Sequence, residues 1–422
     1  MLEVRRFRHL DDFVRENEGD ARARLRLLGF AICWTGFEVF LGSRCSRERG
    51  RRRTCGSVGF VSAVISLSRR TLKPTHFQLF IAMANEEEDL KAIMEKHNTK
   101  WFNVECVPQC FTFSKEERPG DAPIPICNKI PVIDLGKSQK IETIKQLLQA
   151  GQEFGFFQVI NHGILENVAT QTLSTFEEFF NNMTDEEKVN VASRKGWIFT
   201  GSEEEVKNGV HLWRDNIKHP CHPLDKCMQS WPDKPATYRE VVGRYVAEIR
   251  MLSLTILELI CQGLGIESGY FNEQSEVQLL SANNYPACPD PSLTLGILKH
   301  FDPSLITIIY QGNVSGLQVL VDGKWMCVEA VPNAFVVNIG NQLEIISNGK
   351  LRSVEHRAVT NSKEARTSIA IFVNPTPNSI VEPAKVLLND SNPPLYKSIL
   401  YKDFINASKA FGAHTDVIQN DS

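Results

Sequence analysis

No run of this 422-residue chain reaches the 18 to 20 consecutive apolar residues that span a bilayer. The nearest stretch, Leu27 to Leu41, is short and broken by Glu38, so no membrane association is expected. The chain also lacks a strong excess of either charge. A formal net charge of −3 removes any global electrostatic reason to expect a nucleic acid partner. It has eleven cysteines, an odd and scattered set without a C-x-x-C pair. That spacing argues against a disulfide framework and for a reducing compartment. No 20–50-residue repeat is visible, which excludes solenoids and propellers. What remains is a hydrophobic fraction of 42% and a charged fraction of 23%, the balance of a globular protein with a substantial core.

The front of the chain differs from the rest. Before Met83 there are fifteen Arg and one Lys; after it, nine Arg and twenty-two Lys. Gly50 to Gly56 has no apolar face, and Met83-Ala-Asn-Glu86 reads like an ordinary protein start. Residues 1–82 are therefore expected to be an Arg-rich extension, disordered or a gene-model artefact, with no part in catalysis. An Arg-rich stretch ahead of Leu27 would suit a transit peptide, but such peptides are poor in acids. Here Glu3, Asp11, Asp12, Glu16, Glu18 and Asp20 crowd the start, so a cytoplasmic location is expected.

Beyond Met83 the pattern divides. Ile130–Leu135 is a β-branched run expected to be a strand, and Phe156–Gly163 is strand-like and ends in a turn. Ile144, Leu147 and Leu148 share one helical face within Ile141–Gly151. Thr184-Asp-Glu-Glu187 fits a capping box. Pro235–Leu264 carries the longest helical pattern, with Gly263 and Gly265 where a C-cap is wanted. After Tyr270 come seven short strand patterns: 277–285, 305–311, 317–321, 324–328, 334–339, 353–360 and 367–374. Asp322-Gly323 between two of them signals a two-residue hairpin. The expected fold is α+β, a jelly-roll (double-stranded β-helix) core flanked by mainly N-terminal helices. Residues 83–270 would be the helix-rich region, 271–405 the jelly roll and 406–422 a tail.

His-x-Asp on an extended segment puts two ligands on one face, because strand side chains alternate. With a distant His, the pair makes the facial triad of non-haem iron enzymes. The pair occurs three times, as His9/Asp11, His300/Asp302 and His414/Asp416, where chance gives about half an instance. Context selects His300/Asp302: it lies between strand patterns and is followed by His356 within another. Arg366 and Ser368 form a further period-two pair on a β-branched segment, and Asn283 and Tyr285 another. Three polar pairs on strands otherwise built for burial imply one polar cavity. A buried Arg needs an anion, and a ligand carboxylate is the natural partner for Arg366.

With these residues in place, the stretch from about Ile130 to Phe404 resembles the plant soluble 2-oxoglutarate/Fe(II)-dependent dioxygenases. The resemblance rests on Gly155-Phe-Phe-Gln-Val-Ile-Asn-His-Gly163, Asn283-Asn-Tyr-Pro-Ala-Cys-Pro289, His300-Phe-Asp302, Leu343-Glu-Ile-Ile-Ser-Asn-Gly349, Val354-Glu-His-Arg357 and Arg366-Thr-Ser368. Trp213-Arg-Asp215, His219-Pro-Cys-His-Pro-Leu-Asp225 and Trp231-Pro232 are similar to the branch of hyoscyamine 6-hydroxylase-like and salicylate- or flavonoid-oxidising enzymes. Two departures are visible: Asn284 stands where the family usually has Tyr, and the loop Arg194–Gly209 matches poorly.

The resemblance implies an oxygenase that hydroxylates, desaturates or epoxidises a small specialised metabolite or hormone-like molecule, releasing succinate and CO₂. His300, Asp302 and His356 would hold Fe(II), with 2-oxoglutarate and O₂ as co-substrates and ascorbate in support. Arg366 would grip the distal carboxylate bidentately, Ser368 and Tyr285 would add hydroxyl donors, and Asn283 would sit near the C1 end. Phe372, on the face of Ser368, together with Phe199 and Trp213, are candidates for the substrate pocket. His162 is expected to be structural. The only partner expected is a small-molecule substrate, on a monomer. Two rivals remain: a His₂-Asp zinc hydrolase, in which Arg366 and Ser368 have no job, and a silent binding module, which needs no intact triad.

Overall fold

The computed structural model describes residues 102–182, 184, 198–201, 209–411 and 415–419. The extension 1–82, the capping box, His9 and His414 lie outside these residues or, like Thr184, at their margin.

An eight-stranded sheet and a four-stranded sheet form the framework. In chain order the strands are β1 (Val132–Asp134), β2 (Phe156–Ile160), β3 (Ile198–Gly201), β4 (Asp215–His222), β5 (Val277–Tyr285) and β6 (Ile297–His300). They continue with β7 (Ile306–Tyr310), β8 (Leu317–Val321), β9 (Lys324–Cys327), β10 (Phe335–Ile339), β11 (His356–Ala358) and β12 (Arg366–Asn374). The large sheet runs β1-β2-β10-β7-β12-β5-β4-β3 and the small one β6-β11-β8-β9. All pairings are antiparallel except β1 with β2.

Three helices build up the flank: α1 (Lys140–Glu153), α2 (Glu166–Asn182) and α3 (Tyr238–Leu264). Gly265 closes α3 in the left-handed region at φ 72°, a conformation without penalty only for glycine. Gly263 instead lies inside α3, where a Cβ would meet Leu148 and Ile144 of α1 at 2.6–2.9 Å. It is a close helix–helix contact and not a cap.

Each strand of the large sheet serves two cores through its period of two. One face carries Leu280, Ala282, Ile306, Ile308, Val337, Ile369 and Ile371, which join the apolar faces of α1, α2 and α3 in the main core. The other face looks toward the small sheet. There Phe156, Ile309, Val336 and Ala370 meet Leu317 and Val319 in a smaller cluster. The polar pairs lie on this inner face.

Four strands come from the region read as helix-rich, since β1 to β4 complete the large sheet. β4 was not expected: Asp215-Asn-Ile-Lys-His-Pro-Cys-His222 has one β-branched residue and an internal proline. It forms because β5 pairs with it along its length. β3 reaches only as far as Lys218, so Pro220 has its missing N–H on an unpaired side.

Candidate active site

His300 ends β6 and His356 opens β11, and the antiparallel register places them directly opposite each other. Their ring centroids are 4.2 Å apart. Asp302 follows two residues after His300, where the backbone turns away from the sheet. Its carbonyl accepts the Asn341 N–H at 2.8 Å, at the start of a short helix after β10.

The protons in this cluster are assigned by chemistry. His300 Nδ1 lies 2.8 Å from the Leu298 carbonyl, and His356 Nδ1 lies 3.0 Å from that of Val354. A carbonyl only accepts, so both Nδ1 atoms carry hydrogen, and in the neutral form of each ring Nε2 is the free lone pair. Those two Nε2 atoms lie 3.4 and 3.6 Å from the same atom, Asp302 Oδ1. The other oxygen, Oδ2, is already engaged by Thr307 Oγ1 at 2.6 Å and Asn338 Nδ2 at 2.8 Å. Three ligand atoms thus converge within 4.8 Å, while the remaining polar atoms of all three side chains are held by neighbours. Outer partners that fix ring tautomer and carboxylate orientation are the usual support of a metal centre.

The electrostatics hold the carboxylate charged and set the two rings apart: burial would lower His300, but the hydrogen bond and charge of Asp302 outweigh it and raise it. Burial alone would raise the Asp302 carboxyl, but His356, His300 and Thr307 outweigh it and hold it well below the usual carboxylate range. Burial, then the neighbouring His300, lowers His356 to about 4, leaving it neutral at physiological pH. His300 is 34% exposed, whereas Asp302 and His356 are 3% and 5% exposed, so the cluster opens on the His300 side. The donor set of two imidazoles and one carboxylate on one face suits Fe(II) with open positions.

The other polar pairs meet across β5 and β12. Tyr285 pairs with Arg366 and Asn283 with Ser368. Arg366 is buried, its Nε donating to the Val314 carbonyl at 2.9 Å and its guanidinium carbon 5.1 Å from the centre of the Tyr285 ring. Among the described residues no carboxylate lies within ion-pair distance of it. A desolvated, unpaired guanidinium is costly, and a bound carboxylate removes that cost. Gly316 leaves the room: a Cβ there would meet Arg366 Cδ at 2.9 Å.

The pocket candidates separate. Phe372 pairs with Thr307 and Leu279 on the inner face, half-buried, with the Lys218 amine 4.7 Å over its ring. Trp213 packs closely. It is wholly buried against Phe111 and Cys288, with its indole N–H donated to the Pro286 carbonyl, so ring and polar tip are both occupied. Phe199 lies on β3, where its backbone pairs with Ile217 of β4. His162 bonds the Asn333 carbonyl and the Ile164 N–H, a structural role.

Thr307, Asn338 and Gly316 were missed in the sequence. The first two had a signal: each is a lone polar residue in an otherwise apolar strand, Ile-Thr-Ile-Ile-Tyr and Phe-Val-Val-Asn-Ile. Gly316 had none, because its role depends on how close Arg366 comes.

Two family models match the chain: the 2OG-Fe(II) oxygenase superfamily over residues 276–375, and the N-terminal region of non-haem dioxygenases in morphine synthesis over residues 130–234. Hyoscyamine 6-dioxygenase of Hyoscyamus niger is 40% identical over 319 residues, covering 72% of this chain and 92% of that one. 2'-Deoxymugineic-acid 2'-dioxygenase of Hordeum vulgare is 37% identical, covering 71% and 89%. Among solved structures, that of JOX2 in complex with 2OG, Fe and JA superposes with a TM-score of 0.67 at 31% identity, covering 76% and 95%. Sequence, fold and converging ligand atoms agree: this chain belongs to the 2OG-Fe(II) oxygenase superfamily and is a 2-oxoglutarate-dependent dioxygenase.

Proposed function

We propose that the chain oxidises a small specialised metabolite or hormone-like molecule, by hydroxylation or by the related desaturation or epoxidation. His300, Asp302 and His356 would hold Fe(II). Arg366 and Ser368, with Tyr285, would receive the distal carboxylate of 2-oxoglutarate, and Asn283 the C1 end. The convergence of two imidazole Nε2 atoms on one carboxylate oxygen carries this reading. The relatives are named for hyoscyamine and for 2'-deoxymugineic acid, both small molecules, which favours a substrate of that size.

When bound, iron, 2-oxoglutarate and O₂ supply the oxidation, with succinate and CO₂ released. The protein's part is placement. Thr307 and Asn338 hold one Asp302 oxygen so that only the other is offered to metal. The carbonyls of Leu298 and Val354 keep both rings in the binding tautomer. Arg366 fixes the co-substrate by charge and by its planar fork. Phe372 and the Lys218 stem wall the inner face where a planar substrate would lie.

The test is a screen of candidate metabolites for substrate-dependent succinate release by the iron-loaded chain. Release that depends on Fe(II) and on one class of metabolite supports the reading. Hydrolysis without 2-oxoglutarate consumption would overturn it.

A further inference from the structure

We propose that Arg214 and Asn216 are positioning residues: they lock the Asn283 amide so that its NH₂, and not its oxygen, faces the co-substrate. The proposal rests on the assignment of Asn283 to the 2-oxoglutarate site made above.

The orientation follows from what each neighbour can do. Arg214 Nη1 lies 2.8 Å from the amide atom assigned as Asn283 Oδ1. A guanidinium only donates, so that atom must accept. A second, independent constraint comes from Asn216. Its Nδ2 lies 2.9 Å from the Ala282 carbonyl, which can only accept, so the Asn216 atom there is the nitrogen. The same nitrogen lies 2.8 Å from Ser281 Oγ and 3.0 Å from Asn283 Oδ1, sharing its hydrogens among the three. Two donors from β4 and its entry therefore hold one end of the Asn283 amide.

Its other end must be the NH₂. No hydrogen bond among the described residues uses Asn283 Nδ2, and it is not among the sealed, unpartnered polar atoms. Asn283 stands opposite Ser368 and two residues from Tyr285, on the inner face. The lock thus delivers a donor beside the hydroxyls of the site, where an anionic co-substrate offers only acceptors. Arg214, Asn216 and Asn283 are all buried, and in such a setting a fixed donor needs no reorganisation when the ligand arrives.

A purely structural amide makes the opposite prediction for Asn283→Asp. A carboxylate accepts from Arg214 and Asn216 at least as well as the amide does, so folding and Fe(II) affinity should not weaken. Its second oxygen would face the dianion in place of a donor. The full chain, loaded with Fe(II) without oxygen, would be titrated with 2-oxoglutarate by calorimetry, with melting curves alongside. We expect Asn283→Asp to weaken 2-oxoglutarate binding tenfold or more at an undiminished melting temperature. Arg214→Met should weaken it three- to tenfold by freeing the amide to rotate, and Arg214→Lys should restore most of that loss. Unaltered 2-oxoglutarate affinity in Asn283→Asp or in Arg214→Met overturns the proposal, as does a loss in Arg214→Met that Arg214→Lys fails to restore. Failure of the unmodified chain to bind 2-oxoglutarate would instead count against the co-substrate assignment itself.

Discussion

The two faces of the large sheet are built from the same strands, yet they have opposite chemistry. On β5, Leu280 and Ala282 face the helices, while Asn283 and Tyr285 include the polar group at the strand's end. On β12, Ile369 and Ile371 face the helices, and Arg366 and Ser368 face the small sheet. On β7 and β10, Thr307 and Asn338 interrupt the inner apolar face to hold Asp302. Stability and chemistry are thus divided by a period of two. Each strand is anchored through its outer side chains and is free to place costly groups on the inner ones.

That division is open to test, beginning with the largest effect. Asp302→Ala should lower Fe(II) affinity by at least about a hundredfold, since even outer partners of a ligand are worth about 10–100-fold. Asn338→Leu should lower it by about tenfold, because Asp302 then loses one of its two holders. Equilibrium dialysis against Fe(II) reads both, and equal losses would break the proposed hierarchy.

On the outer face, Ile371→Ala should cost about 2–5 kcal/mol of stability by opening a cavity in the main core. Iron affinity of the folded fraction should stay unaltered. A urea melt paired with an iron titration checks the separation, and coupled losses would show that the two faces are not independent.

The outer face also holds a buried histidine. His219 is wholly buried beneath Trp231 and Tyr238, bonded to the Tyr238 hydroxyl at 2.8 Å. Burial lowers it from an ordinary 6.5 to about 4, against a smaller upward pull from the Pro220 carbonyl. Between those values the unfolded chain binds the extra proton. Its contribution is therefore complete above pH 6.5 and is lost as pH falls toward 4, by about 3 kcal/mol in all. The difference in urea stability between the parent chain and His219→Gln should shrink across that window. A constant difference would show that His219 does not carry the acid sensitivity.

Much of this division was legible in the sequence. Polar pairs at a spacing of two on apolar strands marked the inner face, and six of the seven strand patterns after Tyr270 were found within about two residues of their ends. The seventh, read as 353–360, contracts to His356–Ala358 because β6 and β8 pair with it only there. β4 was invisible because its pairing with β5, not its own residue preferences, makes it a strand. Helix α2 was missed as well, although Val168, Thr172 and Phe176 recur at helical spacing on its buried side. The packing of Trp213 was not legible, for a plain reason. An aromatic in a family-like motif suggests a pocket, but which way an indole packs depends on neighbours such as Phe111, a hundred residues away.

The central claim is that the inner face joins a metal centre to a carboxylate site through separate residues. Arg366→Lys tests it most directly. Lysine keeps the charge but loses the planar fork, and with it one of two charge-assisted bonds worth roughly 1.5–3 kcal/mol each. Titration of the Fe(II)-loaded, oxygen-free protein with 2-oxoglutarate should then show affinity weakened by about one to two orders of magnitude. Fe(II) affinity measured without co-substrate should barely change, because Arg366 is not among the three converging ligands. Unaltered 2-oxoglutarate affinity in Arg366→Lys, or a parallel loss of iron, would contradict the account.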